Sequence, residues 1–336
     1  MNRLILNLAV GVCLALAGCD RSAAPPSTGT AKGPDQVRLG YFANVTHAQA
    51  VMGVASGEFA EAIKPAKLTT RVFNAGPSLI EALFAGEVDI GYVGPGPALS
   101  AQVQSRGQGI RLIAGAADNG VLIVARKDSG IEKLTDLKGR KIATPQLGNT
   151  QDIAARHYVV SVLKQPDASN IMPVANGEQA SLMARGQIDA AWAPEPWGSR
   201  LIAETGARLI GKEEDLWPNK TVNLTVVVTT PEFLAGYPQV VEKMLRVHAH
   251  WTKRLAAEPQ KYAGPLNDAL AGLTGKKLPA GVVESSLKNV KFSDEPPDES
   301  LATMGQWAFE LGFLARPPEL KGFADLTLLR RLRAEK

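Results

Sequence analysis

From position 36 onward, short runs rich in β-branched residues alternate with longer runs whose apolar residues recur every three or four positions. The β-type runs are 37–42, 68–73, 88–93, 111–117 and 121–126, then 141–144, 171–174, 189–192, 208–210 and 222–229. Helical spacing is expected over 46–62, where Ala50, Val51, Val54, Ala55 and Phe59 form one stripe, and over 77–85 and 97–105. A second series of helices is expected at 150–163, 178–185 and 197–204. After Pro231 the pattern turns helical, at 239–257, 259–273, 279–287, 299–311 and 326–333. Strands alternating with helices predict an α/β architecture with mainly parallel sheets flanked by helices.

One segment occurs twice. Gly86-Glu87-Val88-Asp89-Ile90-Gly91-Tyr92-Val93 matches Gly186-Gln187-Ile188-Asp189-Ala190-Ala191-Trp192-Ala193 at an offset of 100 residues. In both copies a helix runs into glycine, the residue that most readily takes the left-handed C-terminal geometry. A strand then runs up to prolines. A period of this size is that of a lobe and too long for a solenoid unit, so two similar α/β lobes are expected.

The first 35 residues follow different rules. Asn2 and Arg3 precede an apolar run over 4–16, about 13 residues, where a lone membrane-spanning helix needs ~20. This reads as a signal peptide, 1–18. Leu16-Ala17-Gly18-Cys19 has the form of a bacterial lipobox, which makes Cys19 the lipidated first residue of the exported chain. Several acyl chains on one residue anchor durably where one alone binds marginally. The stretch 20–34 has no large apolar side chain and reads as a flexible tether. The expected location is the periplasmic side of the inner membrane, or the outer face of the plasma membrane in a one-membrane organism.

Composition narrows the chemistry. Cys13 and Cys19 are the only cysteines, and both precede the folded part, so disulfides, zinc clusters and thiol redox pairs are not expected there. The net charge of +4 comes from interspersed basic and acidic residues, which is no footprint for nucleic acid. No GxSxG, HExxH or P-loop spacing is present. His248 and His250 lie two apart on an expected helix and so face different ways. No catalytic residue, metal site or cofactor is expected, and the chain is expected to be a monomer.

In open parallel sheets, ligands lie beyond the carboxyl ends of strands, where helix N-termini expose unpaired N–H groups. Two segments fit that geometry. Gly94-Pro95-Gly96-Pro97 follows the strand ending at Val93, with proline suited to a first helical turn and glycine able to offer an unshielded N–H. Gln146-Leu147-Gly148-Asn149-Thr150-Gln151-Asp152 precedes a long helix, with Asn149 or Thr150 as its cap and Thr150 and Gln151 as side-chain donors. Other strand ends supply Asn44 and His47, Asn74, Gly76 and Ser78, and Trp192 and Glu195. Trp192 is expected as a cleft wall. Glu195 is expected to pair with a cation, form a lid contact or read an amino group.

VRLGYFANVTHAQAV, FNAGPSLIEALFAGEVDIGYVGPGPAL, LTDLKGRKIATPQLGNTQD and ARGQIDAAWAPEPW resemble the aliphatic sulfonate, taurine and nitrate binding proteins of ABC importers. The resemblance covers about 36–320. It implies a two-lobed type II periplasmic-binding-protein fold, with the ligand cleft between lobes. Placed here, lobe one is 36–124 plus 231–336 and lobe two 125–230, joined by crossovers near 121–127 and 222–230. The residues it assigns to an anionic group are Ser78, Gly94, Gly96, Asn149, Thr150 and Gln151. Tyr41, Phe42 and Trp192 would face an organic tail. The chain departs from some sulfonate binders at GNTQ, where they carry serines, and at Gly94 to Pro97, where they carry Gly-Asp. The implied partners are a small organic anion, an aliphatic sulfonate first, with taurine, nitrate or a sulfate ester as alternatives, and the permease and ATPase subunits of an importer. Two other readings stay open: a thiamine-pyrimidine precursor binder with Glu195 on ring nitrogens, and a lyase of menaquinone synthesis on the same fold. The latter works in the cytoplasm, against the leader and lipobox.

Overall fold

Eleven strands form two separate sheets in the computed structural model, which describes residues 33–296 and 298–335. The expected leader, Cys19 and nearly all of the tether lie outside the described residues. The strands are β1 (Gln36–Phe42), β2 (Lys67–Phe73), β3 (Ile90–Val93), β4 (Arg111–Asn119), β5 (Val121–Ala125) and β6 (Ile142–Thr144). They continue with β7 (Ile171–Pro173), β8 (Ala190–Pro194), β9 (Arg208–Lys212), β10 (Asn223–Thr229) and β11 (Val290–Phe292). The first sheet has the order β11-β4-β10-β3-β1-β2 and the second β7-β6-β8-β5-β9. The chain leaves the first sheet at β4, enters the second at β5 after Gly120, and returns between β9 and β10. These passages fall a few residues before the expected crossovers.

Both sheets are mixed, with parallel and antiparallel pairs. β1 pairs in parallel with β2 and β3, and β6 with β7 and β8, while β4, β5, β9, β10 and β11 pair antiparallel. β5 and β10, the strands that follow the two passages, enter their sheet from the other lobe and run against both of their neighbours; β11 runs against β4 at the sheet edge.

The repeat has a physical role. β3 beside β1 in the first sheet corresponds to β8 beside β6 in the second. Asp89 accepts the backbone N–H of Arg38 at 2.7 Å, and Asp189 accepts that of Lys141 at 3.1 Å. Each carboxylate ties its strand to the start of the parallel neighbour. Gly86 and Gly186 hold φ of 70° and 69°, the left-handed values that end the preceding helices.

Local chemistry also explains where helices depart from the expected spans. The stripe over 46–62 splits into a short 3-10 turn, Val45–His47, and two helices, Ala48–Ala55 and Glu58–Ala62, because Gly57 turns left-handed at φ 77°. The Phe59 ring then folds back over Gly53, where a Cβ would come within 2.4 Å of it. The long helix Pro238–Ala257 buries one face, including His248, whose ring meets the Tyr92 hydroxyl at 2.8 Å, and leaves His250 exposed. No helix among the described residues is long and apolar enough to cross a membrane.

The return passage is clamped by a buried carboxylate. Glu213 is fully buried and accepts the indole N–H of Trp192 at 2.6 Å and of Trp217 at 3.2 Å. Burial outweighs these two bonds and pushes Glu213 up to about 8. The folded chain therefore holds a proton there that the unfolded chain has released. That stability is present below the ordinary carboxylate range and is lost as pH rises through about 8. Glu213→Gln should flatten the fall of melting temperature between pH 5 and pH 8, while lowering overall stability by about 1–3 kcal/mol because one indole N–H loses its acceptor. Unchanged pH dependence in calorimetry of the variant would contradict this.

Candidate functional site

The carboxyl ends of the parallel strands in both sheets converge on one small cavity of about 20 Å³. Its walls come from Phe42, Asn44, Thr46 and His47 after β1, Asn74 after β2, and Gly94 after β3. The second sheet supplies Pro145, Asn149, Thr150 and Gln151 after β6, Asn176 after β7, and Pro194 at the end of β8. Leu224 and Thr225 of β10 close the set. Two long-enough helices, Pro95–Gln104 and Thr150–His157, point their N-termini at it from opposite sheets, and the helix Asn176–Ala184 begins at its wall. Not one of these lining residues is charged at neutral pH. The cavity offers amide, hydroxyl and imidazole groups inside the positive ends of helix dipoles, which is a setting for a single negative charge.

Glycine is required where the two sheets meet. A Cβ on Gly94 would stand 2.3 Å from Thr150 Oγ1, and one on Gly96 about 3.2 Å from the Thr150 backbone. The Gly96 N–H donates to Thr150 Oγ1 at 3.2 Å, so one lobe caps into the other. Asn149 makes no capping bond of its own, although capping was expected of it or Thr150, and its buried side chain faces the cavity. Further bonds cross between lobes, among them two to the strand-end loops. The Trp197 indole donates to Asn44 Oδ1 at 2.8 Å, and Asn289 donates to Glu195 Oε1 at 2.7 Å.

His47 is the single titratable side chain among the lining residues. It stacks on Phe42 at 4.3 Å between ring centroids, and its Nδ1 accepts the Phe42 N–H at 3.3 Å. That bond leaves the proton on Nε2. Burial without a carboxylate partner pulls His47 down to about 3, so it is a neutral donor across the physiological range. Thr225 is buried, and its hydroxyl has no hydrogen-bond partner among the described residues.

Of the residues expected from sequence, Phe42, Asn44, His47, Asn74, Gly94, Asn149, Thr150 and Gln151 come together here. The others do not. Ser78 turns its hydroxyl onto its own helix start, donating to the Ala75 carbonyl at 3.0 Å. Gly96 spends its N–H on Thr150. Trp192 and Tyr41 are fully buried core side chains, since both lie within their strands rather than beyond the strand end. Glu195 is fully buried and takes four bonds, from the Ser199 N–H and hydroxyl, from Ser286 and from Asn289. Desolvation still raises its pKa. It joins the lobes through Ser286 and Asn289 and is not among the residues that line the cavity. Thr46, Asn176, Leu224 and Thr225 were not foreseen. Asn176 was within reach, because asparagine also follows β1, β2 and β6; Thr225 sits in a uniformly buried β run with nothing to single it out.

Among the described residues, no cluster of three His, Cys, Asp or Glu side chains is arranged to hold a metal ion. The crowded contact at Gly94 gives a direct test of lobe approach. Gly94→Val should leave the two lobes folded but hold them apart, giving a larger radius of gyration in solution X-ray scattering. A variant as compact as the parent would show that the contact is not limiting.

The family model described as the NMT1-like family matches residues 30–263. A Brucella abortus (strain 2308) relative named only as a binding protein is 29% identical over 219 residues, 63% of this chain and 64% of that relative, so the chain spans less than two thirds of its length. A Bacillus subtilis (strain 168) protein carrying the name of an aliphatic sulfonates-binding protein is 25% identical over 97% of this chain and 96% of its own. The alkanesulfonate-binding protein SsuA from Xanthomonas axonopodis pv. citri, solved bound to MOPS, superposes with a TM-score of 0.72 at 22% identity, covering 88% of this chain and 99% of that one. With two mixed sheets facing one cavity, the chain has the two-lobed periplasmic-binding-protein fold and belongs to the NMT1-like family.

Proposed function

We propose that this chain is the extracytoplasmic solute-binding component of an ABC importer. It captures a small organic anion, an aliphatic sulfonate first among the candidates, and delivers it unchanged to a membrane permease powered by separate ATPase subunits. The observation that carries this reading is the cavity wall: neutral donors from both sheets, at helix N-termini, with no charged side chain. Such a wall suits a weakly basic monoanion. The chain's relatives named for sulfonates support the same class.

The mechanism follows from the bonds between lobes. A solute that touches Asn44, His47 and Thr225 on one side and Asn149 to Gln151 on the other favours the closed arrangement, a hinge motion. The Gly96–Thr150, Trp197–Asn44 and Asn289–Glu195 bonds form with it. Release then requires another protein to part the lobes. Cys19, lipidated, would keep the protein at the membrane that holds its permease. The pyrimidine-precursor reading loses its support, since Glu195 is fully bonded elsewhere.

Thermal shift and calorimetry with alkanesulfonates, taurine, sulfate esters, nitrate and pyrimidines test the proposal. An anion at 100 times its dissociation constant should add about 2.7 kcal/mol of stability. No stabilisation by any anion in the panel would defeat it. Thr225→Val should weaken the best ligand by roughly ten- to a hundredfold, the cost of leaving a buried anion short of a donor. With His47 neutral, affinity for a strong-acid anion should change by less than about threefold between pH 5.5 and pH 8. Tight binding confined to low pH would show that the imidazolium holds the ligand instead.

A further inference from the structure

The head cavity opens into a much larger hollow. Asn44, Asn74 and Asn176 line both, forming a polar collar between them. The outer hollow measures about 340 Å³ against about 20 Å³ inside. Its walls are more apolar than the inner ones, with Val72 and Phe73 from β2, Leu273 from the helix Ala263–Thr274 and the Trp197 indole; Glu178 and Thr274 are its polar side chains besides the collar. Val72 and Leu273 are 39% and 36% exposed, two of the few large apolar side chains left open among the described residues, and both border this one hollow. Trp197 begins the helix Trp197–Thr205. Its N–H is held by Asn44 of the collar, and the Arg200 guanidinium lies over its ring at 5.4 Å, so the indole stands fixed at the mouth.

We infer that this protein selects solutes with two parts, a compact monoanionic head for the inner cavity and an extended apolar tail for the outer hollow, and that Trp197 is the residue that sets tail preference. The inference rests on the reading of the inner cavity as an anion site. It narrows the substrate class to long-chain or aromatic sulfonates and excludes compact ions as preferred cargo. Trp192, the tryptophan expected at the cleft wall, is sealed in the core; five residues later, Trp197 lines the hollow. The tail would displace water from Val72, Leu273 and one indole face, and each buried methylene strengthens binding by about fourfold.

Calorimetric titration of the full exported chain with n-alkanesulfonates of one to eight carbons, and with naphthalenesulfonate, tests this. The expected result is an affinity that climbs about fourfold per methylene over several carbons. Trp197→Ala should reduce that slope, whatever its effect on overall affinity, and Trp197→Phe should keep it. Leu273→Glu, on the opposite and partly exposed wall, should also reduce it and serves if Trp197→Ala fails to fold. Equal affinity for methanesulfonate and octanesulfonate would overturn the two-part site and leave the anion reading standing. Absence of binding by every sulfonate, short or long, would remove the anion reading itself. A full slope retained in both Trp197→Ala and Leu273→Glu would overturn the role given to the hollow.

Discussion

Thr150 can approach Gly94 because glycine has nothing beyond its α-carbon, and the cavity between the sheets exists at its present size for that reason. Any side chain at position 94 would meet the Thr150 hydroxyl well inside contact distance. The same approach brings the N-terminus of the helix Thr150–His157 against that of Pro95–Gln104. Two positive dipole ends facing each other are unfavourable on their own. A negative charge between them turns that opposition into attraction from both sides. On the proposed function, closure and anion capture would be one electrostatic event.

The wall without full charges has a physical consequence. A buried lysine or arginine would have to be desolvated along with the ligand, and unless the pair were well matched the penalty would offset much of the attraction. Neutral donors cost less to bury and are already oriented by the backbone that carries them. Hydrogen bonds to a charged acceptor contribute about 1.5–3 kcal/mol each. Three or four of them reach the range of micromolar affinity, about −8.2 kcal/mol, without a single ion pair. The weaker total would suit the proposed role, in which the protein must also let go. Two buried carboxylates of the surrounding loops are bonded elsewhere: Asp152 is held by Thr144, the Gly148 N–H and Arg156, and Glu195 by its four donors.

The alternation of strands and helices and the duplicated Gly-x-x-Asp segment made the two-lobed α/β architecture legible before any coordinates. They report backbone periodicity and local capping, which sequence encodes directly. The short strand β11, by contrast, follows a stretch read as helix and pairs with β4 only through tertiary contact. The loops after strands were legible too, and Asn44, His47, Asn74, Gly94 and Asn149 to Gln151 meet as expected. The failures share a cause. Trp192 and Glu195 lie next to the strand-end turn in sequence, yet rotation about the strand sends Trp192 into the core and the turn carries Glu195 towards Ser286 and Asn289. Thr225 and Leu224 reach the cavity from a strand that comes back from the other lobe, a pairing that no local pattern announces.

The central claim is that the protein holds a negative charge with neutral donors. The most direct measurement compares one alkanesulfonate with its uncharged sulfonamide of the same shape, by titration calorimetry at fixed pH, followed by mass analysis of the recovered ligand. The account predicts binding of the sulfonate at least about a hundredfold tighter, or ~2.7 kcal/mol, with the molecule recovered intact. Equal affinity for the two would contradict it, as would recovery of a chemically altered product.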